Sequence, residues 1–532
     1  MGTLYVNGTI LTMEQDQTAE AVWEEGGMIR AVGERKLLED QACGAQRMDL
    51  QGRTMIPAFI DAHSHFSAYA NAMLQVSLEE ASSFDEMVKS IGEFIERNQI
   101  PLGKWVLARG FDPDAVREKR YPDRRVLDRA APHHPVLIQH KSGHMGVMNT
   151  MGLKICRITG ETKSPEGGKI EIKDGQPTGY LEENAMMMYL RQVGMPTKEE
   201  LLPIYDKAQA AYASHGITTV QEGMAPDDMV PLLQMLAQRN VLYLDLNAYA
   251  HISQSRRLLE TFSHEIGVYR NHIKIGGYKI FLDGSPQGRT AWMRQPYENA
   301  AQMEGDEAYC GYPTMSDEAV REAVLTAARQ RLQILAHCNG DAACDQYIRM
   351  CRSVKDEGYD LSGIRPVLIH GQLLGIDQLE AVREIPLIPS FFAAHVYHWG
   401  DVHVKNLGWN RASHISPAAS AEKKGILYTF HQDSPVIEPD MMETVWCAVN
   451  RKTKSGTVLG EEERIPVLEA LKAVTLHAAY QYFEEGEKGS IRPGKRADFA
   501  ILDRNPLAVE PDELRDIQVQ QTIKDGRVIF TV

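Results

Sequence analysis

The middle of the chain alternates short apolar runs with amphipathic stretches. Residues 54–60, 217–221, 242–248, 273–281, 333–336, 366–369, 385–389 and 426–430 have the length and apolar continuity of strands buried on both faces. Between most of them apolar positions recur at helical spacing, as in residues 317–331 and 342–355. That alternation predicts a parallel α/β architecture, and eight strands is the number that closes a (β/α)8 TIM barrel. A doubly wound open sheet would carry a Gly-rich turn after its first strand, and none follows residues 54–60.

The two ends of the chain are patterned differently. Leu4-Tyr5-Val6 and Thr9-Ile10-Leu11 flank the turn pair Asn7-Gly8, and residues 28–32 follow Gly26-Gly27; both arrangements predict hairpins. Near the C-terminus residues 497–502 form another apolar run, and residues 521–523 and 527–530 flank Asp525-Gly526. These strands predict a small composite β-sandwich built from both termini, 1–53 with 485–532, around a barrel at 54–484. Residues 66–216 are too many for one crossover between the first two barrel strands. They predict an insertion at about 100–195, with a hairpin of residues 169–172 and 179–181 around Asp174-Gly175. Insertions over a barrel mouth commonly build specificity.

Composition narrows the function classes. The formal net charge of -15 disfavours nucleic acid and anionic membrane surfaces as partners. No run approaches the ~18–20 apolar residues needed to span a bilayer, and the N-terminal residues lack a secretory pattern. The seven scattered cysteines include no C-x-x-C pair, which suits reduced thiols and a cytoplasmic setting.

Candidate chemistry clusters at predicted strand ends. His63 and His65 in Ile56-Pro57-Ala58-Phe59-Ile60-Asp61-Ala62-His63-Ser64-His65 are two apart, so on a strand their imidazoles point the same way and can share one cation. Lys279 lies in the fourth barrel strand; the fifth delivers His337, the sixth His370, and Asp433 follows the eighth. Each alone reads as an ordinary polar cap. Together, four imidazoles, a carboxylate and a lysine converge on the strand ends where such barrels place active sites.

With these residues in view, the chain resembles the amidohydrolase superfamily, and within it the branch of N-substituted formamide deformylase. The resemblance covers essentially the whole chain: PAFIDAHSHF, KIFLDGS, HCNGD, DSPV and the run Lys488-Gly489-Ser490-Ile491-Arg492-Pro493-Gly494-Lys495-Arg496-Ala497-Asp498-Phe499. It implies one or two divalent metals, zinc first among them. His63, His65 and Asp433 would hold the more buried ion and His337 and His370 a second. Lys279 would bridge the two as a CO2-derived carbamate, with an unmodified lysine and a bridging Glu222 as alternatives. Ile369 and Gln432 stand where many relatives have an acidic residue and a serine.

The implied reaction is hydrolysis of a C–N bond in a small amide, formamide or cyclic amide by metal-activated water, with Asp433 as proton carrier. His144 and Trp292 are candidate substrate contacts, and Phe391, Phe392 and Trp399 candidate pocket walls. Hydrolysis of esters, lactones or phosphotriesters by the same apparatus, and a non-catalytic oligomeric scaffold, are the competing readings. A homodimer is the expected assembly.

Overall fold

The computed structural model describes residues 2–15, 18–141, 144–190, 193, 198–301 and 305–532. The chain forms two compact units: Met1–Ser67 with Tyr205–Val532, and Ala68–Ile204.

The first unit is organised on an eight-stranded sheet. In chain order its strands are Phe59–Ile60, Ile217–Ala225, Asp245–His251, Ile273–Phe281, Gln333–Cys338, Val367–His370, Ile388–Phe391 and Thr429–Phe430. Each pairs in parallel with its sequence neighbours. The sheet curls until the segments leaving its two edge strands meet. There His65 N donates to Ser434 O at 2.8 Å and Asp433 N to His63 O at 3.1 Å. The strands are almost wholly buried, as parallel strands covered on both faces must be.

The crossover helices follow from local sequence. In Asp317–Gln330 the Ser316 side chain caps the N-terminus by accepting from Ala319 N, and Arg331 ends the helix in the left-handed conformation. Val320, Ala323, Val324 and Ala327 fall on one buried stripe, the spacing of an amphipathic helix.

Several strand bounds differ from the sequence reading. The run 54–60 is two strands: Thr54–Pro57 joins another sheet, and only Phe59–Ile60 enters the parallel one. Pro57 and Ala58 mark the break, with Ala58 N donating to Asp498 O one step beyond the Pro57–Phe499 pair before the chain passes to the parallel sheet. The third strand starts at Asp245, the seventh at Ile388 and the eighth at Thr429, because the apolar residues before them are mostly buried approach segments rather than ladder positions.

The end strands form a six-stranded sheet in the order Arg527–Thr531, Val519–Lys524, Phe499–Leu502, Thr54–Pro57, Thr9–Leu11, Thr18–Ala19, so both termini contribute to it. A four-stranded sheet holds Met28–Gly33, Ala21–Glu25, Thr3–Val6 and Gln46–Asp49. Gly26-Gly27 and Asp525-Gly526 make the expected hairpins, with positive φ at both residues of each turn. Asn7-Gly8 does not. Thr3–Val6 and Thr9–Leu11 belong to different sheets, because a parallel strand, Gln46–Asp49, takes the edge of Thr3–Val6 that a hairpin partner would need.

The second unit has its own six-stranded sheet, ordered Gly168–Lys173, Gln176–Glu183, Met145–Met148, Val136–His140, Val106–Phe111, Gln75–Ser77. Its first two strands are the hairpin expected at Asp174-Gly175. Helix Phe84–Arg97, capped by Ser83, lays Phe84, Met87 and Ile91 into a core with Val106, Phe111 and Leu127. Among the described residues no helix is long and apolar enough to cross a membrane.

Candidate metal centre

The structure gathers His63, His65, Lys279, His337, His370 and Asp433 at the C-terminal ends of the parallel strands. His63 and His65 lie just beyond Phe59–Ile60, with ring centroids 5.2 Å apart. Asp433, three residues past the eighth strand, turns its carboxylate toward both. Its Oδ1 is 3.5 Å from His63 Nε2 and 3.5 Å from His65 Nε2, and its Oδ2 is 3.9 Å from His370 Nε2. Donor atoms of His63, His65 and Asp433 all lie within 4.8 Å of one another.

Two of these residues have left-handed backbones: φ is 74° at His370 and 57° at Asp433. Such conformations cost non-glycine residues about 1–3 kcal/mol each and persist where surrounding structure imposes them. Here they aim side chains inward at the ends of short strands. Gly223 serves the same end by absence, since a Cβ there would lie 2.6 Å from Cε1 of His63.

The second pair of histidines is positioned by directional hydrogen bonds. His337 Nε2 lies 3.1 Å from Gly284 O and 3.1 Å from the amide Nδ2 of Asn339, which itself donates to Gly284 O at 2.8 Å. On its other side, His337 Nδ1 lies 3.0 Å from His370 Nε2. On its far side, His370 Nδ1 is 3.1 Å from His431 Nε2, and His431 Nδ1 is 3.0 Å from Ser390 Oγ. The loops beneath are tied by Asp283, which accepts from Trp292 N at 3.0 Å, Asn339 N at 2.9 Å and Gly340 N at 2.7 Å.

Burial sets the charge state of this cluster. It drives His63 and His370 well below the usual imidazole pKa and His65 and His337 to about 3, with Lys279 adding repulsion at each. Burial also lowers Lys279 and raises Asp433. Four neutral imidazoles are four ligand-competent ones. A further sign is Asp433 Oδ1, a buried carboxylate oxygen with no hydrogen-bond partner, an arrangement that is costly unless a cation compensates it. The donor set therefore fits a divalent metal.

Other residues singled out from sequence fall elsewhere. His144 is in the second unit, exposed, with Nδ1 2.9 Å from Glu183; Ser142 and Gly143 of its motif lie outside the described residues. Trp292 follows the fourth strand, half-buried, its main chain pinned to Asp283. Phe392 lies 5.3 Å from the His431 ring and 6.0 Å from Trp399, whereas Phe391 packs on Tyr428. Glu222 is buried beside His65, with Oε2 accepting from Ser67 N at 2.9 Å and Oε1 4.0 Å from His65 Nδ1. His431, Ser390 and Gln221 received no role from sequence, although His431 could have been suspected from its place two residues before Asp433.

The chain is 27% identical to N-substituted formamide deformylase of Arthrobacter pascens, over 98% of this chain and 97% of that protein. It is 28% identical to the protein LONG AFTER FAR-RED 3 of Arabidopsis thaliana, over 94% of this chain and 87% of that one. Among solved structures, one titled an uncharacterized metal-dependent hydrolase from Pyrococcus horikoshii superposes with a TM-score of 0.75 at 24% identity. That superposition covers 96% of this chain and 99% of the other. Residues 46–530 match the amidohydrolase family, and the chain is accordingly a hydrolase belonging to that family.

Proposed function

We propose that the protein hydrolyses a C–N bond of a small amide, formamide or cyclic amide, using one or two divalent metals, zinc first among them. The observation that carries this reading is the unpartnered Asp433 Oδ1, equidistant from His63 Nε2 and His65 Nε2. His63, His65 and Asp433 would hold one ion, and His337 and His370 another. A bound divalent cation supplies a Lewis acid that polarises a carbonyl and makes water nucleophilic near neutral pH.

This chain's residues supply the proton handling. Asp433, whose proton affinity burial raises, takes a proton from water and returns it to the departing nitrogen. Lys279 is buried and pushed toward the neutral amine. In that form Nζ adds to CO2, giving a carbamate and releasing one proton. The product is an anion suited to lie between two cations. The relative named for deformylating N-substituted formamides supports the choice of bond.

The test is metal analysis of the purified protein coupled to a screen of N-substituted formamides, N-acyl amines and cyclic amides beside esters, lactones and phosphotriesters. One to two metal equivalents and turnover of an amide class are expected. No metal bound and no activity restored by any added cation would remove the site assignment; turnover of esters alone would move the bond class.

A further inference from the structure

We infer that Gln221 is the positioning residue that fixes the tautomer of His63 and presents its Nε2 for cation binding. The cation half of this inference rests on the metal reading above. Gln221 lies in strand Ile217–Ala225, is fully buried, and approaches His63 Nδ1 with its Oε1 at 2.5 Å. An imidazole nitrogen and an amide can meet in either sense, so the distance alone does not say which one donates.

The surroundings decide. Gln221 Nε2 donates to Ala62 O at 2.9 Å and to the Tyr482 hydroxyl oxygen at 2.8 Å. That hydroxyl donates its own hydrogen to Asp61 O at 2.7 Å, so toward Gln221 it can only accept. Ala62 O accepts a second amide, Gln481 Nε2, at 2.8 Å. Turning the Gln221 amide over would set its oxygen against a main-chain carbonyl, acceptor against acceptor, and would leave both amide hydrogens without their acceptors. Its orientation is therefore set by groups that cannot reverse, and Oε1 is the atom facing the imidazole. Oε1 can only accept, so His63 Nδ1 carries the proton.

The lone pair of His63 is then on Nε2, the atom 3.1 Å from Lys279 Nζ and 3.5 Å from Asp433 Oδ1. A neutral amide in this place holds the ring without adding charge. Tyr482 and Gln481 belong to the C-terminal part of the chain and Gln221 to the second strand, so two segments distant in sequence from His63 hold its imidazole.

The experiment uses the full chain, stripped of metal, and titrates it with zinc while thermal unfolding is monitored. Gln221→Met keeps the length of the side chain and removes the acceptor. It is expected to weaken zinc binding about 10–100-fold, as loss of an outer partner to a metal-bound histidine does, while unfolding stays cooperative. Gln221→Glu, neutral when buried, keeps an acceptor for His63 Nδ1 and is expected to restore most of that loss. In parallel, 15N-histidine spectra of the metal-free protein, assigned with a His63→Phe variant, read the tautomer directly, and the Nδ1–H form is expected.

Wild-type zinc affinity in Gln221→Met, or an Nε2–H tautomer in the metal-free wild type, would overturn the inference. Equal losses in Gln221→Met and Gln221→Glu would reduce Gln221 to a packing role and overturn it as well. A wild type that takes up no cation would overturn the metal reading and with it the cation half of this inference. The tautomer spectrum, recorded without metal, would still decide the hydrogen-bond half.

Discussion

Lys279 Nζ lies 3.1 Å from Nε2 of His63, and neither side chain reaches solvent. An ammonium so placed would repel the cations that the surrounding imidazoles and Asp433 are suited to bind. Burial relieves the conflict by lowering the lysine pKa, and the neutral amine is the form that captures CO2. Lys279→Ala is therefore expected to lose one of two bound metals and most activity. A short carboxylic acid in the buffer should restore part of both. Wild type reconstituted without bicarbonate should show a reduced active fraction. Elemental analysis together with activity assays checks all three, and an unchanged metal content in Lys279→Ala would leave the lysine without a bridging role.

Asp433→Asn keeps the shape of the carboxylate and removes its basicity. Turnover should fall roughly 10^2–10^4-fold, the span of a lost general base, with the thermal midpoint little changed. Steady-state kinetics on the metal-loaded variant is the check. Near-wild-type kcat with a full metal complement would place the proton carrier elsewhere.

His431 is separated from the ligand position by one imidazole. It reaches His370 Nδ1 at 3.1 Å and is itself held by Ser390 at 3.0 Å. His431→Phe should fill the space while deleting the hydrogen bond, weakening the second metal about 10–100-fold. The first metal, held by His63, His65 and Asp433, should be retained. Competitive zinc titration separates the two affinities, and equal weakening of both would show a general loosening of the site instead.

Away from the site, Asp245 provides a pH-dependent element of stability. Its Oδ2 meets Lys488 Nζ and Lys524 Nζ, each at 2.7 Å, and Oδ1 meets His272 at 2.7 Å. Burial alone would raise its pKa, but Lys488 and Lys524 outweigh that and hold it well below 3.8. A depressed folded-state pKa means stability that is present in full above the unfolded value and is lost as pH falls through the folded one. Denaturation curves from neutral pH downward should therefore show an acid limb beginning near pH 3.8 that Asp245→Asn lacks. At neutral pH that variant should be less stable by about 3–5 kcal/mol, because two buried ammonium groups lose a shared partner.

Much of the fold was legible because periodicity is a local property. Eight apolar runs separated by helical spacing correspond to eight parallel strands, and Gly26-Gly27, Asp174-Gly175 and Asp525-Gly526 all turn hairpins. Asn7-Gly8 carried the same local signal and failed. Its flanking strands found better partners in Gln46–Asp49 and Thr54–Pro57, and which strands meet is settled by non-local pairing. The break at Pro57-Ala58 was hidden for a similar reason, since both halves of that run are equally apolar and differ only in the sheet they join.

For the candidate site, sequence alone supplied the candidates: His63, His65, Lys279, His337, His370 and Asp433 each lie within, at or just beyond the C-terminal end of an apolar strand, where active sites of this architecture form. What the tertiary structure decided was direction. Gly284 O, the Gln221 amide locked by Ala62 and Tyr482, and the His431–Ser390 pair come from segments up to hundreds of residues away. They hold the rings of His63, His337 and His370 in place. A hydrogen bond constrains a proton only through the group across from it, and that group is a consequence of folding rather than of neighbouring sequence.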